Sequence, residues 1–120
     1  MSEPSLMRRE IDEAPEAVRR LLDLSGEAMR AAGDRLRRLN PPVVATIARG
    51  SSDHAATYFK YATEIVAGVP VASLGPSVVS VYGAELKLQG CAAIAVSQSG
   101  RSPDIAVSYT HLTLPTTPYV

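Results

Sequence analysis

A chain of 120 residues is one domain at most, and folding it whole buries about two-thirds of the surface that its unfolded form exposes. Its twelve basic and twelve acidic side chains cancel. That argues against the excess positive field selected by nucleic acid or anionic lipid and leaves a small charged ligand as the better-fitting partner.

The start, Met1-Ser2-Glu3-Pro4, lacks the charged and apolar regions of a signal peptide, and no apolar run approaches the ~20 residues of a membrane span. The single cysteine, Cys91, forms no internal disulfide, which agrees with a reducing compartment. A cytoplasmic location is expected, with neither nucleic acid nor membrane as partner.

Leu6 to Leu39 is helical in pattern. Val18, Leu22, Ser25, Met29, Ala32, Leu36 and Leu39 recur at alternating steps of four and three, which places a mostly apolar stripe on one helix face. Packing against a sheet is the expected use of that stripe, with a coiled-coil seam as the alternative. Pro15 suits a first helical turn, and Gly26 and Gly33 each cost about 1 kcal/mol against alanine. A break near Ser25-Gly26 and two helices are therefore predicted.

From Pro41-Pro42 onward the pattern becomes strand, helix, strand, helix, strand. Val43 to Ala48 is a near-continuous apolar run, as in a strand buried on both faces. A helix is predicted from about Asp53 to Val66, closed by Gly68-Val69-Pro70, and a short strand over Val71 to Leu74. Pro76-Ser77 opens a further predicted helix reaching about Leu88, and Ala92 to Val96 is the third strand. This alternation implies an α/β fold with parallel strands and right-handed crossovers, in the three-layer, flavodoxin-like arrangement. In the common order 2-1-3-4-5 the first and third strands are neighbours at the topological switch point, where ligands of such folds bind.

Two hydroxyl-rich loops then fall at that point. Arg49-Gly50-Ser51-Ser52-Asp53-His54 follows the first strand, and Ser97-Gln98-Ser99-Gly100-Arg101-Ser102 follows the third. Each opens onto a predicted helix, whose N-terminal N–H groups carry roughly half a positive charge between them and accommodate an anion. Serine hydroxyls add donors without bulk, while Gly50 and Gly100 allow close approach or positive φ. Four or five hydrogen bonds to a charged group, at about 1.5–3 kcal/mol each, supply micromolar affinity after the costs of binding. Helix capping alone is the competing explanation of the serines, and it is weaker for two converging loops than for one.

At these residues the chain resembles the sugar isomerase (SIS) family. The likeness rests on Arg-Gly-Ser-Ser-Asp-His-Ala at 49–55, Gly68-Val69-Pro70-Val71, Pro76-Ser77 with Tyr82, and Ser-Gln-Ser-Gly-Arg-Ser-Pro-Asp at 97–104. Met7 to Pro15 also resembles the opening of the isomerase half of glutamine:fructose-6-phosphate aminotransferases, so the resemblance runs from Met7 to Ser108. It implies a helical segment over 1–40, a partial SIS domain over 41–108, and a sugar-phosphate ligand held by Gly50, Ser51, Ser52, Ser97, Gln98, Ser99 and Ser102. No cofactor is implied, and a homodimeric parent is.

Ser2 stands where the aminotransferases carry the N-terminal cysteine of their glutaminase domain. The resemblance is therefore closer to the isomerising glucosamine-6-phosphate deaminases, which release ammonia and yield fructose 6-phosphate. An aminotransferase-like isomerase with another substrate is one alternative. A sugar-phosphate-sensing regulator is another, although the forty residues before the first strand, with eight basic and eight acidic side chains, are short and neutral for a DNA-binding domain.

Tyr109 to Val120 departs from the family, with four threonines, two prolines and no charged residue, a poor helix composition. It resembles an adapter-derived end of a truncated reading frame, and 109–120 is expected to be non-native. The family's catalytic glutamate, histidine and C-terminal lysine lie beyond the match, so no catalytic residue is assigned and the chain is expected not to turn over substrate. An uncovered edge on the third strand is expected to promote association. Glu64, Glu85, Lys60 and Lys87 are read as solvated helix faces, His54 as a loop-orienting residue and Cys91 as a small apolar strand residue. No cluster has metal-ligand spacing.

Overall fold

The computed structural model describes residues 4–103, 105, 106 and 108. It comprises two compact units, one containing the first helix and the other beginning at Asn40.

The first unit is a single helix, α1 (Leu6–Leu39), 34 residues long. Ser5 caps it, its Oγ accepting the Arg8 N–H at 3.3 Å, and Arg37 and Arg38 in the last turn complement the helix dipole. Two expectations are corrected here. The helix does not break at Ser25-Gly26, because a glycine penalty of about 1 kcal/mol lowers stability without removing a hydrogen bond. Pro15 lies in the helix interior rather than its first turn. Ion pairs surround that position: Arg8 with Asp12, Arg19 with Glu16, and Arg20 with Glu13. At about 0.3 kcal/mol per exposed pair they do not offset a proline cost of about 3 kcal/mol, so the turn around Pro15 is the weakest of the helix. Asn40, at φ 45°, ends α1 in the left-handed conformation just before Pro41-Pro42, which cannot continue it.

The second unit is an α/β fold on an open, all-parallel, three-stranded sheet. Its elements are β1 (Val44–Ala48), α2 (Ser51–Ala67), β2 (Val71–Leu74), α3 (Pro76–Ser80) and β3 (Ala92–Val96), and the strand order is β2-β1-β3. The central strand β1 is buried along its whole length, as its continuous apolar sequence requires. Val44 pairs with Val71 on one side and with Ala92 on the other. Ala45 and Ile47 of β1, Ala56 of α2 and Val71 of β2 form the core. Strand boundaries agree with the sequence reading to within a residue, while α2 begins two residues earlier than expected.

The third predicted helix is corrected. Instead of running to Leu88, α3 stops at Ser80. Gly83 adopts φ 61°, and the Gly83 and Ala84 N–H groups turn back onto the Val79 and Val78 carbonyls, each at 3.1 Å. β-Branched Val78, Val79 and Val81 lower helix propensity before a glycine free to take the left-handed conformation, and the turn closes the helix. Ser108, buried, donates to the Pro76 carbonyl at 3.0 Å, where Ser80 also donates at 2.9 Å, tying the segment after β3 to the start of α3.

Among the described residues β3 pairs with β1 alone, and Ala95 on it is exposed. No helix among them is long and apolar enough to cross a membrane. Residues 109–120, including His111 and the expected non-native tail, lie outside the described residues.

Candidate functional site

Ala48 and Val96, the last residues of β1 and β3, are register partners. The two hydroxyl-rich loops therefore leave the sheet side by side at its carboxyl edge, the first beginning at Arg49 and the second at Ser97.

In the first loop Gly50 holds φ 59°, ψ −132° and stands at the N-cap of α2 without any side-chain capping bond. That conformation is reserved for glycine, since a Cβ would strain the backbone. Ser51 and Ser52 form the start of α2. The Ser52 and Asp53 N–H groups donate to the Arg49 and Gly50 carbonyls at 3.2 and 3.0 Å, which closes a tight turn. Those two amides are engaged within the turn, and the serine hydroxyls are further donors that it offers. Capping does not explain these two serines. The dipole of the 17-residue α2 adds a favourable field for an anion, opposed by Asp53 in the same first turn.

The second loop is organised differently. The Ser97 hydroxyl accepts the Gly100 N–H at 3.1 Å and the Ser99 hydroxyl accepts the Arg101 N–H at 3.2 Å. Both bonds close turns ahead of the helical residue Pro103, so holding the loop is part of what these serines do. Each hydroxyl keeps its own O–H to donate, because a serine offers one donor beside two acceptor lone pairs. Ser102 leads into a helical turn at Pro103, its carbonyl accepting the Ala106 N–H at 3.0 Å.

Ser97 and Ser102 share one cleft of about 240 Å³ with Ala95, Gly100, Ile105 and Ala106. Gln98 and Ser99 lie exposed beside it. Gly50, Ser51 and Ser52 do not line this cleft; register brings the first loop to the same edge without enclosing it in the same cavity.

Other polar residues separate from this edge. Lys60 Nζ lies 2.6 Å from Glu64 Oε1 and donates to the Val71 carbonyl at 2.7 Å, while the Val71 N–H donates to Glu64 at 3.0 Å. Both side chains are half-buried, which corrects the expectation of solvated faces. They clamp α2 to the first residue of β2, at the amino end of the sheet and remote from the loops. The hydrogen bonds from Lys60 and the Val71 amide hold the Glu64 carboxyl below its ordinary value, burial opposing them. Cys91, half-buried, also precedes a strand at that amino end. Glu85 and Lys87 are exposed but lie in the irregular stretch after α3 rather than on a helix. His54 is exposed in the first turn of α2. No group of His, Cys, Asp and Glu among the described residues could hold a metal ion.

Sequence reasoning passed over the Lys60–Glu64 clamp, the Ser108 anchor and the apolar wall that Ala95, Ile105 and Ala106 give the cleft. An i, i+4 Lys–Glu pair just before a Gly-x-Pro strand entry was the available signal for the clamp.

A crystal structure of a protein from Silicibacter pomeroyi DSS-3, assigned by inference as a phosphosugar isomerase, matches at a TM-score of 0.86 and 53% sequence identity, over 92% of this chain and 34% of that one. This chain is similar to part of a phosphosugar isomerase. It spans about a third of that protein's length. The identity extends the likeness beyond fold to sequence and agrees with the SIS resemblance. No family model matches the chain, and no curated protein matches it.

Proposed function

We propose that the chain binds a sugar phosphate at the carboxyl edge of its sheet, with Gly50, Ser51 and Ser52 on one side of the phosphate and Ser97, Gln98, Ser99 and Ser102 on the other. The observation that carries this reading is the register of Ala48 with Val96, which sets two hydroxyl-bearing turns next to each other at the end of the sheet where parallel α/β folds bind ligands. The dipole of α2 and the O–H donors of five serines suit a dianionic phosphate. The cleft beside Ser97 and Ser102 offers an apolar wall to the carbon face of the sugar.

The neighbour's assignment supports sugar-phosphate isomerisation as the activity of a protein carrying the whole of that architecture. Within that class the reading extends to an isomerising glucosamine-6-phosphate deaminase acting as a homodimer, in which ammonia leaves and fructose 6-phosphate forms. Proton transfer between the first two sugar carbons is not assigned to any residue of this chain, whose described acid and base groups lie at the wrong end of the sheet or on exposed surface.

Calorimetric titration of the chain with glucosamine 6-phosphate and fructose 6-phosphate tests the binding. Saturable binding at micromolar concentration, absent with the unphosphorylated sugars, is expected. Equal binding of phosphorylated and unphosphorylated sugars would remove the phosphate from the reading.

A further inference from the structure

We infer that the apolar stripe of α1 pairs with the same stripe of a second copy of this chain, antiparallel, in the register that sets Ile11 against Leu36. The inference rests on the homodimer proposed above and names its surface, and it does not depend on sugar-phosphate binding.

No residue of the 34-residue α1 is buried. A helix in water is held chiefly by the packing of its apolar face, and here that face is open. Ile11, Val18, Leu22 and Met29 are all exposed, and they belong to the alternating steps of four and three that run on to Leu39, the spacing of a two-helix seam.

Two features choose the same partner and the same direction. An antiparallel seam needs residues of one spacing class to meet residues of the other. Leu22 opposite Ser25 of the second copy satisfies that, and the same register sets Val18 opposite Met29 and Ile11 opposite Leu36. Charge is the second feature. Residues 10–16 hold Glu10, Asp12, Glu13 and Glu16 and no base, whereas residues 30–38 hold four arginines and one aspartate. In the register just given, Asp12 and Glu16 come beside Arg30 and Arg37 of the second copy along one flank of the seam, and Glu10 comes beside its Arg35 and Arg38 along the other. A parallel pair aligns like charges instead, and flanking charges of this kind set the orientation of paired helices.

Asp12, Glu16 and Arg37 already pair with Arg8, Arg19 and Asp34. Those pairs are exposed and of small worth, so a facing charge joins them without having to break a core. A sheet face would cover the stripe without calling for opposed acidic and basic blocks.

The test is sedimentation equilibrium of the 120-residue chain, as wild type and as Leu22→Glu with Met29→Glu, at low and high sodium chloride. Wild type is expected to dimerise reversibly, more weakly at high salt because exposed charges are screened. The double substitution should raise the dimer dissociation constant by about tenfold or more, since it places carboxylates in an apolar seam. α1 carries no aromatic residue, so near-ultraviolet circular dichroism of the tyrosines reports on the second unit alone and should not change. Direction is read by oxidative cross-linking in a Cys91→Ala background. A mixture of Ile11→Cys and Leu36→Cys chains should cross-link, and neither variant should do so by itself. Cross-linking of Ile11→Cys with itself overturns the antiparallel register. A dimer that survives the double substitution overturns the role of α1 and leaves the homodimer standing. A wild-type chain that stays monomeric, as it does if the stripe packs on its own sheet, overturns the homodimer and this surface together.

Discussion

Ala48 and Val96 end neighbouring parallel strands in register, and that single pairing joins two serine motifs nearly fifty residues apart in sequence into one edge. The ligand site proposed for this chain follows from what stands immediately after those two residues. Arg49 begins a turn closed by Gly50 at φ 59°, and Ser97 begins a turn closed by its own hydroxyl.

The two serine turns respond differently to substitution. Ser51→Ala removes a hydroxyl with no side-chain capping role in α2, so it should weaken fructose 6-phosphate binding by about 1.5–3 kcal/mol with the thermal midpoint unchanged. Ser99→Ala removes the acceptor of the Arg101 N–H as well and should lower both affinity, by a similar amount, and stability. Calorimetry and thermal melts on the two variants separate these effects. An unchanged dissociation constant for either variant takes that serine out of the site.

Gly50→Ala places a Cβ on a backbone at φ 59°, ψ −132°. No heavy atom lies within 4 Å of that Cβ, so the cost is conformational rather than steric. A loss of about 1–3 kcal/mol of stability is expected from the strain, measurable by urea denaturation, together with weaker sugar-phosphate binding as the turn relaxes. Full stability in the variant would mean that the turn is not held as described.

Glu64 gives a pH dependence of defined sign. Its carboxyl is held below the ordinary carboxylate value by Lys60 and the Val71 amide, so its contribution to stability is fully present above that ordinary value. That contribution is lost as pH falls through the lowered folded-state value. Glu64→Gln should lower the thermal midpoint at neutral pH and reduce its sensitivity to acid. Sugar-phosphate affinity should not change, because the clamp lies at the opposite end of the sheet from the loops. Equal acid sensitivity in wild type and variant would show that the clamp does not contribute.

The weak turn in α1 offers an independent check. Pro15→Ala restores a backbone donor in the helix interior and removes a cost of about 3 kcal/mol. Far-ultraviolet circular dichroism should show a helix that melts at higher temperature. A lower melting temperature would indicate that the proline is accommodated by something other than exposed ion pairs.

How much of this was legible in the sequence depended on whether the signal was local. Val43 to Ala48 and Ala92 to Val96 are uninterrupted apolar runs, and both strands fall where those runs place them. The order β2-β1-β3 is that of the common 2-1-3-4-5 arrangement, which strand alternation suggests and chirality alone does not fix. Pattern failed where one local term had to be weighed against another. Gly26 carries a penalty too small to end α1, and Pro15 was accepted in a helix interior. At α3, by contrast, Gly83 overrode a helical continuation that the residues up to Leu88 otherwise allowed. The serine turns were visible as motifs, but which hydroxyls are engaged was not: Ser97 and Ser99 hold backbone amides, whereas Ser51 and Ser52 follow a glycine cap. The Lys60–Glu64 clamp and the Ser108–Pro76 bond depend on positions brought together only by the folded chain.

Amide chemical-shift mapping during titration with glucosamine 6-phosphate tests the composite site most directly. The expected result is that the amides of Gly50, Ser51 and Ser52 and those of Ser97 to Ser102 shift together, saturating with one dissociation constant, while Lys60, Glu64 and Val71 stay in place. Shifts confined to one loop, or absent from both, would contradict a single phosphate held between the ends of β1 and β3.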